Sequence, residues 1–397
     1  MRRLPPLLLL LLSLGCQVAG GASPPKLSRY TYQQLHQVEG LLDQERYQEA
    51  EKRLEALRKR VETGYERALV EQTQGYVALG LNDEAAALEH FRGALAEGGL
   101  PERVAQELRY ARAQLLLRQG RAKAARAQLE EWFAREAQPN PESRVLLGQI
   151  HAELGQWRAA ADQLQQAIAQ ASRPAESWYQ LLLAAYLEEQ RLKPAARLLR
   201  RLVRRFPRDP TYWRQYASVL MQLKRHRQAA TVLALANDQG LLRQPDLLTL
   251  ARLYLQINAP LNAARLLERA LAKGRIEARH QPLELLADAW ILAREPAKAI
   301  RVLERLAAID PSGRPQLRAG ALLMEQEQWR AAAAKLKEGL RLQARPAAGD
   351  WLRLGSVYLR LGEEGKAGKA FRQAAKRAVS KRERELARRW LDYLAAG

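Results

Sequence analysis

From residue 30 onward the chain repeats one arrangement of small, bulky and polar positions. A small residue falls at Ala50, Ala87, Ala125, Ala160, Ala195, Ala229, Ala263, Ala299, Ala332 and Ala367, at intervals of 37, 38, 35, 35, 34, 34, 36, 33 and 35 residues. Ten recurrences at nearly one period make the chain a repeat array rather than a set of unrelated domains. The pattern predicts two antiparallel helices per repeat. Helices approach closely only where the side chains between them are Gly or Ala, while bulky neighbours interdigitate with the next repeat. Pro174, Pro207, Pro210, Pro311 and Pro346 fall between repeats, and Pro194, Pro260 and Pro296 fall near the start of a second helix. Proline tolerates both places, because it opens a helix without needing its own N–H. Residues 380–397 read as a terminal helix covering the last repeat, with Ser380 as N-cap, Glu383 closing a capping box, and Leu386, Trp390 and Tyr393 or Leu394 turned inward.

The clearest repeat reads Trp351-Leu352-Arg353-Leu354-Gly355-Ser356-Val357-Tyr358, followed by Gly362, Ala367, Phe371 and Ala374. That W-x2-L-G-x2-Y spacing resembles the tetratricopeptide repeat (TPR). The register returns at Leu147, Gly148, Gly155, Trp157, Ala160, Leu164 and Ala167, at Trp213, Ala229, Leu233 and Ala236, and at Leu250, Tyr254, Ala263, Leu267 and Ala270. The fold class expected is all-α: a right-handed TPR superhelix, an α-solenoid of about ten helix-turn-helix repeats over residues 30–379, closed by a capping helix.

Composition narrows the chemistry. One Cys among 397 residues removes a disulfide framework and a Cys-built zinc site, and the five His are too far apart for a local ligand pair. Neither G-x-S-x-G, H-E-x-x-H nor a P-loop occurs. The paired acids Glu130-Glu131, Glu188-Glu189 and Glu363-Glu364 diverge by about 100° on a helix. No catalytic residue, metal or cofactor is expected. Met1-Arg2-Arg3 followed by Leu7 to Leu12 has the form of a secretory signal, too short to span a bilayer, so the chain is expected to be exported to the periplasm. Residues 1–22 are read as that signal and 23–29 as a linker. Val18-Ala19-Gly20 and Gly20-Gly21-Ala22 each suit ordinary cleavage, whereas Ser13-Leu14-Gly15-Cys16 resembles a lipobox that would lipidate Cys16.

In a TPR superhelix the first helix of each pair lines the concave side. Register from the alanines places Tyr76, Tyr110, Gln114, Gln149, Gln180, Arg214, Ser218, Arg252, Gln256, Glu284 and Asp288 there, a polar, mildly basic lining suited to an extended peptide or a partner helix. No repeat carries the Lys–Asn pair with which some TPR modules clamp a terminal carboxylate. Charge is the second feature. The net charge is +22, and residues 190–230 hold 12 Lys or Arg against one acid, Asp209. Arg197, Arg200, Arg201, Arg204, Arg205 and Arg208 recur every three or four residues, which predicts one stripe along a second helix. The stripe suits an anionic membrane surface or an acidic protein. Nucleic acid is not expected, since no aromatic-interleaved module accompanies the bases. A plainly solvated Arg-rich face is the competing reading.

Several segments resemble one bacterial family: Tyr30-Thr31-Tyr32-Gln33-Gln34-Leu35, Gln44 to Ala50, Tyr212-Trp213-Arg214-Gln215, Gln228 to Leu267, and Trp390-Leu391-Asp392-Tyr393-Leu394. They look like the exported TPR proteins encoded with TonB–ExbB–ExbD-type energy-transducing systems. The resemblance implies a non-enzymatic scaffold accessory to outer-membrane import, with TonB, ExbB or ExbD homologues as partners. It carries no catalytic residues over, and Cys16 departs from its ordinary cleaved signal. The alternative is a TPR lipoprotein that assists envelope assembly or polysaccharide export.

Overall fold

The structure is a computed structural model that describes residues 27–396. The expected export signal and Cys16 lie outside the described residues. The chain divides into two compact units between Arg191 and Leu192. The first unit runs through α1 (Arg29–Asp43), α2 (Tyr47–Arg58), α3 (Gly64–Gly80), α4 (Glu84–Glu97), α5 (Glu102–Arg118), α6 (Ala122–Phe133), α7 (Pro141–Glu153), α8 (Trp157–Gln170) and α9 (Glu176–Glu188). The second begins with α10 (Leu192–Arg205), α11 (Pro210–Gln222), α12 (His226–Asp238), α13 (Gln244–Gln256), α14 (Pro260–Ala272) and α15 (His280–Leu292). It continues through α16 (Pro296–Ala307), α17 (Arg314–Glu325), α18 (Trp329–Leu342), α19 (Ala348–Arg360), α20 (Glu364–Arg377) and α21 (Lys381–Ala396). Among the described residues there is no strand. Each unit is an α-solenoid of helical hairpins, as the repeat predicts.

The ten periodic alanines lie one in each even-numbered helix from α2 to α20, and every one is fully buried at 0% exposure. Their partners explain why they must be small. Twelve residues before Ala87 stands Gly75, where an added Cβ would come within 2.4 Å of the Phe91 ring; Gly355 meets Phe371 at 2.5 Å in the same way. Gly148 opposes Leu164 and Gly320 opposes Leu336 at 2.9 and 2.7 Å. Where the first-helix position is Ala, as at Ala113, Ala217, Ala251 and Ala287, the residue sixteen places on is a buried Leu, at Leu129, Leu233, Leu267 and Leu303. Volume is therefore shared out within these hairpins: no Cβ against a ring or a leucine, or one Cβ against a leucine. Larger side chains then join hairpin to hairpin, as Phe91, Leu108, Leu129, Trp132 and Leu147 do in one continuous cluster.

Five residues before every alanine the backbone enters the left-handed region. Gly120, Gly155 and Gly362 occupy three of these places at φ 71, 68 and 72°, and the other seven hold Glu45, Asn82, Gln190, Lys224, Asn258, Arg294 and Glu327 at φ between 53 and 62°. Each ends a first helix in a Schellman turn. At Glu327 the N–H donates to the Met324 carbonyl at 3.0 Å, and the next N–H, of Gln328, donates to Leu323 at 2.9 Å. Two carbonyls left without helical partners are thereby satisfied, which sustains a conformation that costs an L-residue about 1 kcal/mol.

The second unit ends as expected in one respect and not in another. Ser380 Oγ accepts from the Glu383 N–H at 3.2 Å and Glu383 Oε2 accepts from the Ser380 N–H at 3.2 Å, so the capping box forms. The inward face of α21 is Ala387, Trp390, Leu391 and Leu394: of the expected Leu386, Trp390 and Tyr393 or Leu394, Trp390 and Leu394 turn inward and the others do not. Leu386 and Tyr393 are exposed. The fully buried Ala387 lets α21 approach closely enough for Trp390 to stack on Phe371, with rings 5.7 Å apart and 7° from parallel. Leu386 at that contact would hold the helices apart. Pro210, Pro260 and Pro296 each open a helix, α11, α14 and α16, where the missing N–H has no acceptor to lose.

Two stability predictions follow from these packing and turn geometries. Gly75→Ala, which drives a methyl into Phe91, is expected to cost about 1–3 kcal/mol in urea unfolding. Adding Phe91→Leu, which reproduces the Ala–Leu pairing of α11 and α12, should recover most of that loss; no recovery would refute the shared-volume account. Arg294→Gly and Glu327→Gly should each raise stability by up to about 1 kcal/mol by relieving the left-handed strain, whereas an ordinary turn glycine would lower it.

Candidate protein-interaction surfaces

Two surfaces are built by the repeat, one on the first helices and one on the second. The eleven residues expected to line the first-helix face divide into two kinds. Gln114 of α5, Gln149 of α7, Gln180 of α9, Arg214 and Ser218 of α11, Arg252 and Gln256 of α13, and Glu284 of α15 are exposed. Tyr76, Tyr110 and Asp288 are half-buried. Tyr76 packs edge-on to Phe91 with centroids 5.1 Å apart, and Tyr110 lies 5.5 Å from Trp132, so each ring serves its own hairpin. Burial pushes both phenols above their ordinary range, which keeps them protonated and able to donate. Tyr110 also edges a crevice of about 520 Å³ with Glu102, Gln106, Trp132 and Asn140.

Successive first helices are neighbours in the second unit, and polar contacts cross between hairpins. Asp288 of α15 pairs with Arg318 of α17, and Gln256 of α13 lies 3.2 Å from the His226 ring at the start of α12. The first-helix face changes sign along the unit, from Arg214 and Arg252 to Glu284 and Asp288. An extended segment laid across α11, α13 and α15 therefore meets bases first and acids afterwards. Arg318 is a functional candidate that sequence register did not single out, since it stands three residues before the position two repeats on from Arg252, which is Ala321.

The second surface is basic. Arg197, Arg200, Arg201, Arg204 and Arg205 of α10 are exposed. Arg208 is exposed too but stands beyond the end of α10, in the turn before Pro210, so it does not continue the stripe. The chain leaves the helix at Phe206 to reach the prolines at 207 and 210. Nor do the remaining bases share one flank. Lys193, Arg197 and Arg200 line a crevice of about 320 Å³ with Tyr216, Leu220, Arg225, Gln228 and Thr231, whereas Arg201 and Arg205 lie toward the opposite flank of α10. A second crevice, of about 510 Å³, opens between α12 and α14, with Arg265, Arg269, Lys273 and Arg275 on its walls and Leu250 and Tyr254 in its floor. Burial, then the nearby Asp238 carboxylate, push the Tyr254 hydroxyl up, so it remains a hydrogen-bond donor. Among the described residues no group of His, Cys, Asp and Glu is arranged to hold a metal ion. No helix among them is long and apolar enough to cross a membrane.

Comparison with known proteins agrees with this architecture. Residues 175–219 and 317–382 match tetratricopeptide repeat families. No curated protein matches the chain. Among solved structures it is similar to the Cut9–Hcn1 complex of the APC/C, at 13% identity and TM-score 0.38, covering 93% of this chain and 96% of that one. It is similar to a tetratricopeptide repeat protein from Parabacteroides merdae, at 16% identity and TM-score 0.33, covering 64% of this chain and 98% of that one. Yeast Tom70 is similar at 11% identity and TM-score 0.33, with 93% and 96% covered. At these scores the likenesses carry no argument about partners. The matched segments and the hairpin geometry together identify tetratricopeptide repeats in this chain.

Proposed function

We propose that the protein is a non-enzymatic scaffold of the bacterial periplasm that holds an extended segment of a protein partner across its first helices. The observation that carries this reading is the exposed row of Arg214, Ser218, Arg252, Gln256 and Glu284 on neighbouring first helices. Repeat arrays use such a row because each hairpin offers one more contact at a fixed rise, so an extended chain is read hairpin by hairpin. The sign change from Arg252 to Glu284 orients the bound segment: an acidic end lies on α11 and α13, a basic end on α15.

The partner is assigned to a TonB–ExbB–ExbD-type system by the resemblance of residues 30–35, 44–50, 212–215, 228–267 and 390–394 to exported proteins encoded with such systems. Export is read from the basic and leucine-rich first residues. A second reading, a lipid-anchored envelope-assembly protein, is favoured by one observation, the Ser13-Leu14-Gly15-Cys16 segment.

Affinity capture from solubilised envelopes, with the protein as bait, should recover a TonB, ExbB or ExbD homologue. Arg214→Glu with Arg252→Glu should reduce that recovery at least about tenfold, since two favourable charge contacts become repulsive. Recovery of no such homologue overturns the assignment of the partner. Recovery that ignores the double substitution overturns the first-helix site while leaving the partner in place. Metabolic labelling with an alkyne fatty acid, compared with Cys16→Ser, distinguishes the anchored reading.

A further inference from the structure

The two basic crevices are consecutive, and an exposed leucine stands on the ridge between them. Beyond Arg227 in its first turn, the outward positions of α12 are Thr231, Leu235 and Asp238, seven residues apart at the ends and therefore on one face. Gln228 and Val232 turn from that face toward the α10 crevice, and Ala234 and Asn237 turn toward the α14 crevice. Leu235 crowns the ridge with 49% of its surface in water. An exposed leucine is thus flanked on one side by Lys193, Arg197 and Arg200 and on the other by Arg265, Arg269 and Lys273.

The charges in these crevices are not spent on internal ion pairs. Among the described residues none of those six bases has an acidic partner within bonding distance. The α10 crevice contains no acid at all, and the α14 crevice contains Asp238 alone. Glu268 of α14 sits on the helix flank away from the crevice. Elsewhere in the second unit bases are commonly neutralised, as in Lys335–Glu304, Arg353–Asp350 and Lys366–Glu363. The floors are apolar and aromatic: Tyr216 and Leu220 in one, Leu250 and Tyr254 in the other.

We propose that the outer face of α10, α12 and α14 is a second docking site, for an acidic segment of a protein partner with an apolar residue between its carboxylates. The apolar side chain packs on Leu235, and one carboxylate enters each crevice. Packed helices lie about 8–10 Å apart, a distance that three extended residues span at about 3.3 Å each. The segment therefore carries Asp or Glu about three or four positions apart around a central Leu, Ile or Phe. Recessed crevices flanking an apolar crest favour a polypeptide over a lipid surface, because a bilayer presents its phosphates in a plane and reaches a ridge before a crevice. This site is separate from the first-helix row and stands whether or not that row holds a partner.

The probe is a fluorescein-labelled peptide of sequence Ser-Gly-Asp-Glu-Leu-Glu-Asp-Gly-Ser, followed by anisotropy with the purified protein at low salt. Saturable binding is expected, weakened about tenfold or more by R200Q/R265Q/R269Q and by L235S separately, and unchanged in R330Q on α18. Raising salt from about 50 to about 200 mM should also weaken it. No binding up to about 1 mM protein, or equal binding by all variants, overturns the proposal. Loss in the arginine variant with full affinity in L235S overturns it in favour of unspecific charge attraction. Sedimentation with phosphatidylglycerol vesicles in place of peptide binding overturns it in favour of a membrane surface.

Discussion

Everything in this fold depends on how near two helices can come. A hairpin closes when a residue on the first helix and another on the second give up volume to each other, as Gly75 does to Phe91 and Ala217 to Leu233. The fully buried alanines set the same limit once per repeat. Close approach exposes the termini of the helices to one another and leaves little length for a connection. The left-handed residue that ends each first helix supplies the sharp reversal, and its two hydrogen bonds cover the carbonyls the turn would otherwise strand. Packing and turn are thus one device, which explains why the alanines and the left-handed residues keep a constant offset of five.

That offset also explains what the sequence revealed. Small residues at a fixed interval are read directly, because a buried contact between rods admits few alternatives. Left-handed turns at Lys224 and Arg294 were invisible by residue type, since nothing about Lys or Arg asks for that conformation; only their register did. The capping helix shows the opposite case. Leu386 and Tyr393 look like core by hydrophobicity, yet Ala387 decides the inward face, because beside Phe371 the last hairpin takes a methyl and the flat face of Trp390, with Leu391 and Leu394 packed around them.

The surfaces were less legible than the core. Of the eleven residues that register assigned to the first-helix face eight are exposed, but register could not tell that Tyr76 and Tyr110 spend their rings on Phe91 and Trp132. The run of arginines in α10 was plain as charge, and its division between two flanks was not. The crevices were out of reach altogether: Arg200, Leu235 and Arg265 are each about one repeat apart, and only stacked second helices bring them to one face. Function in a repeat protein arises at that level, in the sum of neighbours rather than in any motif.

The stacking of α21 on the last hairpin has a mechanical corollary. Trp390 is the flat lid on the second unit, whose helices touch chiefly the helices beside them, so strength there is local and additive rather than shared. Tension applied there would peel α21 first and then release hairpins in turn, each yielding at small force and rejoining on slackening. The second unit would then act as a compliant spring, able to lengthen under load while its remaining rungs stay folded.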